Sequence, residues 1–369
     1  MVEASAATTI GEFKELVYQA LRPDEDTFSR KLIMLALVLG EKLLEDSATL
    51  AESGVSDAEP VLAVFSTRRV ECIQKEESPE NLNPADRHVA LSIPDGTKEI
   101  PMKAFTGCSS VQCLLIPSSV SIIQPFAFEA CSSLTGLSIP NSVTQIRRGA
   151  FEGCSSLTKL TISTSMRFVE TRAFACCGSL ITLTIPSSVT NIEREAFYGC
   201  SSLASLTIPS SVTRIGDRSF SGCRSLRSLD LPSISSTLRI GSLAFSGCSS
   251  LTTLTIPDSV VSIGREAFKG CISLTELTIA SSVTTIGVEA FSGCRSLRSL
   301  SFPSSLHTVG DFAFSGCSSL ASLTIPNSTT LGAWTFDGCG SLMSLTAPDS
   351  VWSRRDSLGI PGACKRSRI

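Results

Sequence analysis

The chain has 369 residues and a net charge of −3, from 31 lysines and arginines against 34 aspartates and glutamates. The balance is −8 over residues 1–87, +1 over 88–350 and +4 from Val351 onward. An acidic head on a near-neutral body excludes the basic stripe that a nucleic-acid groove needs. The N-terminus, "MVEASAATTIGEFKELV", has no basic stretch followed by an apolar run, which argues against a secretory leader. The longest apolar run, "LIMLALVLG" from Leu32 to Gly40, falls far short of the ~20 residues that span a bilayer. The expectation is a soluble cytoplasmic chain whose 15 cysteines are reduced thiols, not a disulfide framework.

Residues 1–72 do not repeat. "TIGEFKELVYQAL" predicts a helix over Thr9–Leu21, with Ile10, Phe13, Leu16, Val17, Ala20 and Leu21 on one face and Thr9 as its cap. "KLIMLALVLGEKLLEDSATLAESGVSDAEPVLAVFS" then reads strand, turn, short strand, loop, strand. This order resembles the helix and C-terminal half of a ubiquitin-like β-grasp domain without its first strand, chiefly on "LGEKLLEDSATLAESGV". The resemblance implies that Leu37 and Val64 fall where ubiquitin carries an exposed apolar patch. The apolar character of "LIMLALVLG" instead favours both as core. No Gly-Gly follows Phe65, so conjugation to other proteins is not expected. Residues 73–87 contain "KEESPENLNPADR" and read as a linker or N-terminal cap.

From residue 88 to 350 the chain repeats. Phenylalanine recurs from Phe105 to Phe336 in steps of 23 residues, apart from one step of 25 (Phe220 to Phe245) and one of 22 (Phe314 to Phe336). Cysteine follows each phenylalanine three positions later, from Cys108 to Cys339. The unit is A-F-x-G-C-x-S-L-x-x-L-x-I-P-x-S-V-x-x-I-G. Its L-x-I, as in Leu254-Thr255-Ile256, alternates with period two and predicts a short strand with Leu and Ile inward. The proline that follows in most copies ends the strand. The second apolar pair, as in Val260 and Ile263, suits a turn or a very short strand. Glycine before the cysteine, replaced only by Ala130 and Cys176, suggests positive φ or close backbone approach.

One such coil cannot bury its own apolar side, whereas stacked coils can. The fold class is therefore a β-rich solenoid with a parallel sheet of about twelve short strands, from Val89–Ile93 to Leu345–Ala347. The unit closely resembles the leucine-rich repeats of the BspA-like type. That resemblance implies an arc- or horseshoe-shaped interaction module, on cell surfaces in some organisms and intracellular in others.

The reactive residue types are read as structure. A cysteine repeated in every coil is a small buried hydrophobe, in competition with inter-coil disulfides or metal and redox work. There are two histidines, His88 and His307, and no C-x-x-C, so a zinc site has little to build from. Cys176, beside Cys177 in "ACCGS", is the more exposed thiol. The serine before each strand, Ser110 through Ser341, is expected to bond backbone, because a nucleophilic serine occurs once per site.

The outward strand positions remain: a serine- and threonine-covered sheet with sparse charges. Candidate partner-binding residues are Lys159, Thr161, Arg227, Asp230, Glu276 and Arg298, with Arg227 and Arg298 in the repeated phrase "CRSLRSL". A solvated β-branched face competes with this reading. The tail, residues 351–369, is basic and predicted to be disordered, with Trp334 and Trp352 placed to close the core. The functional expectation is a non-enzymatic protein–protein interaction scaffold with no catalytic residue, cofactor, metal, nucleic acid or small-molecule substrate. A surface-adhesion or spacer protein is the alternative. An ice-binding threonine array is more distant, because Lys159, Asp230 and Glu276 interrupt it.

Overall fold

The computed structural model describes residues 90–93, 95–109 and 111–367. The β-grasp expectation for residues 1–72, with Leu37 and Val64, and the linker of 73–87 lie outside the described residues. From Ala90 onward the chain winds as a parallel β-solenoid, one coil per repeat.

Each coil has three sides. The first is a strand of three or four residues, such as Lys159–Thr161 or Thr253–Ile256, with leucine and isoleucine inward and serine or threonine outward. The second is a two-residue strand, such as Ser262–Ile263, where the sequence left a turn or a short strand open. Pairing is parallel and in register, so Leu160 faces Leu183 and Ile263 faces Ile286. Identical residues thus form columns at the ~4.8 Å spacing of paired strands.

The third side is the A-F-x-G-C corner, which has no strand yet is fully bonded. Alternate N–H groups donate to the next coil: Leu243 to the Arg265 carbonyl at 2.8 Å, Phe245 to Ala267 at 2.8 Å and Gly247 to Lys269 at 2.7 Å. Leu243 and Gly247 are left-handed, with φ of 57° and 74°, and this turns the N–H groups along the stack. The glycine before cysteine is therefore there for its φ. A Cβ added at Gly247 would meet nothing closer than 3.8 Å. Ala130 and Cys176 hold the same conformation at φ 57° and 59°. The glycine after isoleucine has the other cause: at Gly264 a Cβ would lie 2.8 Å from the backbone of Gly241.

The core is the phenylalanine column. Rings from Phe105 to Phe314 follow one another at 5.1–5.7 Å with planes within 11°. This is offset stacking, a favoured arrangement of aromatic rings. All eleven rings, Phe105 to Phe336, are fully buried.

Hydroxyls stitch the coils, but not those of the serine directly before the longer strand. Those serines bond through their backbone instead, as Ser250 N–H does to the Arg224 carbonyl at 3.1 Å. The hydroxyl role falls to neighbours: Ser249 bonds the Arg224 carbonyl at 3.3 Å. In the turn after the longer strand, Ser211, Ser282 and Ser305 donate to the Val189, Val260 and Val283 carbonyls of the preceding coil at 2.6, 2.8 and 3.0 Å.

The tail corrects the expectation of disorder. Residues 349–367 form a four-residue helix, Asp349–Trp352, a turn and the strand Lys365–Ser367, which pairs in parallel with Ser344–Thr346. Leu358, fully buried, stands where the next phenylalanine would be. The carbonyls of Ser357 and Leu358 accept the N–H groups of Trp334 and Phe336, which have no further repeat to bond. The basic side chains are used locally: Arg354 Nη1 donates to the Leu331 carbonyl at 3.1 Å, and Arg366 pairs with Asp349 above the Trp352 ring. Trp352 packs against the core, whereas Trp334 stays half exposed. A solenoid end needs such a cap.

Two predictions follow from this packing. Gly247→Ala is expected to destabilise by about 1–2 kcal/mol, the cost of a left-handed L-residue. Gly264→Ala, which meets backbone, is expected to lower the thermal midpoint further, and the reverse order would refute the two causes. Leu358→Ala is expected to destabilise by about 2–5 kcal/mol. It should raise amide exchange first in the coils near Phe336, because stability in a solenoid is carried between neighbours.

Candidate interaction face

The six residues singled out from the sequence share the face of the longer strands. Lys159, Thr161, Asp230 and Glu276 are outward positions of Lys159–Thr161, Ser228–Asp230 and Glu276–Ile279, and all are exposed. Arg227 and Arg298 precede their strands by one residue and are also exposed. Asp230 accepts a hydrogen bond from Thr207 Oγ1 at 3.3 Å, across the register Thr207–Asp230. Lys159, Arg227, Glu276 and Arg298 have no ion-pair partner among the described residues.

The face does not gather them into one cleft. Lys159 lies three strands from Asp230, and Glu276 two strands beyond, so at ~4.8 Å per strand the set spreads over roughly 29 Å to Arg298. Two more arginines belong to the face. Arg224 and Arg295, the first arginines of the two "CRSLRSL" phrases, are exposed beside Arg227 and Arg298. Their signal was in the repeated phrase, but they sit in the column after cysteine, outside the strand alternation. The exposed apolar residues Ile181 and Met343 occupy the same column as Arg227 in other coils.

The corner offers a contrast, because it carries inter-coil ion pairs. Arg172 reaches Glu152 at 2.8 Å and Glu195 at 3.3 Å, and Lys269 Nζ reaches Glu266 at 3.1 Å and Glu289 at 2.6 Å. These link neighbouring coils, and partly exposed pairs of this kind contribute little singly.

The cysteine column carries no reactive thiol. From Cys131 to Cys339 each Sγ donates to the phenylalanine carbonyl of the preceding coil at 3.2–3.7 Å. All are free and buried; Cys113, outside the column, is instead disulfide-bonded, which corrects the expectation that every cysteine is a reduced thiol. Burial pushes Cys223 and Cys271 up to about 12 from an ordinary value of 9.0. A thiolate is the nucleophile, so these groups are inert near neutrality. Cys176 is exposed, with its Sγ over the backbone of Gly199. Among the described residues no group of three or more His, Cys, Asp or Glu is placed to hold a metal ion. No helix there is long and apolar enough to cross a membrane.

An in-register parallel solenoid with leucine and isoleucine inward and a polar strand face outward defines a leucine-rich-repeat protein. The family model described as "BspA type Leucine rich repeat region" matches in six copies, over residues 88–204, 190–239 and 238–357. The chain belongs to the BspA-type leucine-rich repeat family. Among solved structures, it is similar to a leucine-rich repeat protein from Bacteroides ovatus, at 29% identity over 76% of this chain and 92% of that one, with a TM-score of 0.42. It is also similar to a leucine rich cell surface protein from Faecalibacterium prausnitzii, at 33% identity over 74% and 82%, with a TM-score of 0.49. No curated protein matches the chain.

Thiol chemistry tests the packed column. Alkylation of the native chain at pH 8 is expected to label Cys176 first and Cys131 through Cys339 slowly, with mass spectrometry as the readout. The folded-state thiols titrate above the unfolded ones, so their contribution is complete below pH 9 and is lost as pH rises toward about 12. Stability measured by urea unfolding should therefore fall from pH 9 upward. A flat profile would contradict the burial of the column.

Proposed function

We propose that the chain is a non-enzymatic interaction scaffold and that the face of the longer strands receives a protein partner. The observation that carries this reading is the placement of charge. On the corner, Arg172 pairs with Glu195 and Lys269 with Glu289 across coils. On the strand face, Lys159, Arg227, Glu276 and Arg298 project from a serine- and threonine-covered surface with no ion-pair partner among the described residues. Long charged side chains held apart on a regular backbone suit an extended partner surface, since electrostatic complementarity sets specificity more than affinity. Thr161 and Asp230 supply hydrogen-bonding groups on the same strands. Arg224 and Arg295 extend the two arginine clusters.

The test compares partners captured by the wild-type chain and by a variant with Lys159, Arg227, Asp230, Glu276 and Arg298 all changed to Ser. All five are exposed, so the thermal midpoint is expected to move little. The captured set should lose its specific members. An unchanged set would sink the strand-face assignment.

A further inference from the structure

The 25-residue coil leaves a polar depression that the repeat pattern does not explain. It holds about 350 Å³ and is bounded by Asn191, Thr213, Arg214, Ser236, Thr237 and Arg239. Ser236 and Thr237 belong to the irregular stretch of the long coil and rise beside the short strands. Arg214 and Arg239 are register partners on adjacent strands, both outward and exposed. Like charges placed directly opposite are destabilising. Neither arginine has an ion-pair partner among the described residues. Two acids flank the column and are engaged elsewhere: Glu193 accepts from the Asn191 amide at 3.4 Å, and Asp217 accepts from the Ser242 N–H at 2.8 Å. A second depression, of about 420 Å³, has Arg172 and Arg218 both paired with Glu195 and so presents no comparable free charge.

The outward column continues the site. In register order it runs Phe168, Asn191, Arg214, Arg239. Phe168 is 51% exposed and is the aromatic residue of this column, which from Ser262 onward holds only Ser or Thr. The column spans about 14 Å at the usual strand spacing. It thus offers an apolar platform, an amide, hydroxyls and two guanidinium groups in line. Guanidinium groups suit bidentate recognition of planar or tetrahedral oxyanions.

We propose that this depression and its column bind an acidic oligosaccharide, one that carries sulfate or carboxylate groups. Phe168 stacks on a sugar face. Asn191, Thr213, Ser236 and Thr237 bond its hydroxyls. Arg214 and Arg239 hold the anionic substituent, which also relieves their mutual repulsion. The site lies on the short-strand side and is independent of the protein-binding face.

The test is calorimetric titration of the full chain with a sulfated glycosaminoglycan tetrasaccharide, its desulfated form (which keeps the carboxylates) and inorganic sulfate. Binding of either saccharide is expected, and it should weaken as salt rises. Arg214→Ser with Arg239→Ser should weaken it at least about tenfold, and Phe168→Ser about threefold. The thermal midpoint of the double arginine variant should hold or rise, because a like-charge pair is removed. The proposal is overturned if neither saccharide binds, if the double variant binds as well as wild type, or if its midpoint falls together with binding. It is also overturned if inorganic sulfate binds as tightly as the saccharides and Phe168→Ser has no effect.

Discussion

Everything in this molecule depends on one constraint: the backbone of each coil is satisfied by the next coil. The strands show it in their ladders, but the corner shows it more sharply. There the N–H groups of Leu243, Phe245 and Gly247 have no partner within their own coil and depend on Arg265, Ala267 and Lys269. A buried N–H without a partner is costly. The repeat therefore cannot stop without a substitute, and residues 349–367 are that substitute. They supply two carbonyls, a strand and Leu358 in place of a further phenylalanine ring.

The same constraint explains why residues with reactive side chains are abundant yet unreactive. A side chain that recurs in every coil meets its own copy ~4.8 Å away on both sides. It can stack, as phenylalanine does, or bond the adjacent backbone, as the cysteine thiols and the hydroxyls of Ser211 and Ser305 do. Chemistry is left to positions that break a column. On the longer strands those are Lys159, Arg227, Asp230, Glu276 and Arg298. On the short strands they are Phe168, Arg214 and Arg239. The two sets face different sides of the coil, so one regular core carries two distinct irregular surfaces.

The long coil between Phe220 and Phe245 shows how an irregularity is absorbed. The phenylalanine stack passes through it at 5.3 and 5.4 Å without a break. The extra residues emerge at the surface, with Ser233, Ser235, Ser236 and Thr237 exposed, while the buried Ser259 of the next coil donates to the Pro232 carbonyl at 2.7 Å. Insertions in a solenoid go outward because the core columns fix the rise per coil.

The sequence by itself determined the repeat, the inward columns of Phe, Leu and Ile, the strand positions and the family. It did so because period-two alternation and a 23-residue recurrence are local patterns that depend on no distant contact. It also placed Lys159, Thr161, Asp230 and Glu276 outward, since alternation fixes which way a strand residue points, whereas Arg227 and Arg298 lie one residue before their strands. Only the tertiary structure decided the rest. It gave the two glycine columns their separate causes, φ at Gly247 and crowding at Gly264, which look alike as letters. It turned residues 353–367 from a predicted loose tail into a cap, because the value of Leu358 lies in the open end of the stack that it covers. And it set Arg214 beside Arg239, 25 residues apart along the chain, through a register that only the wound coil defines.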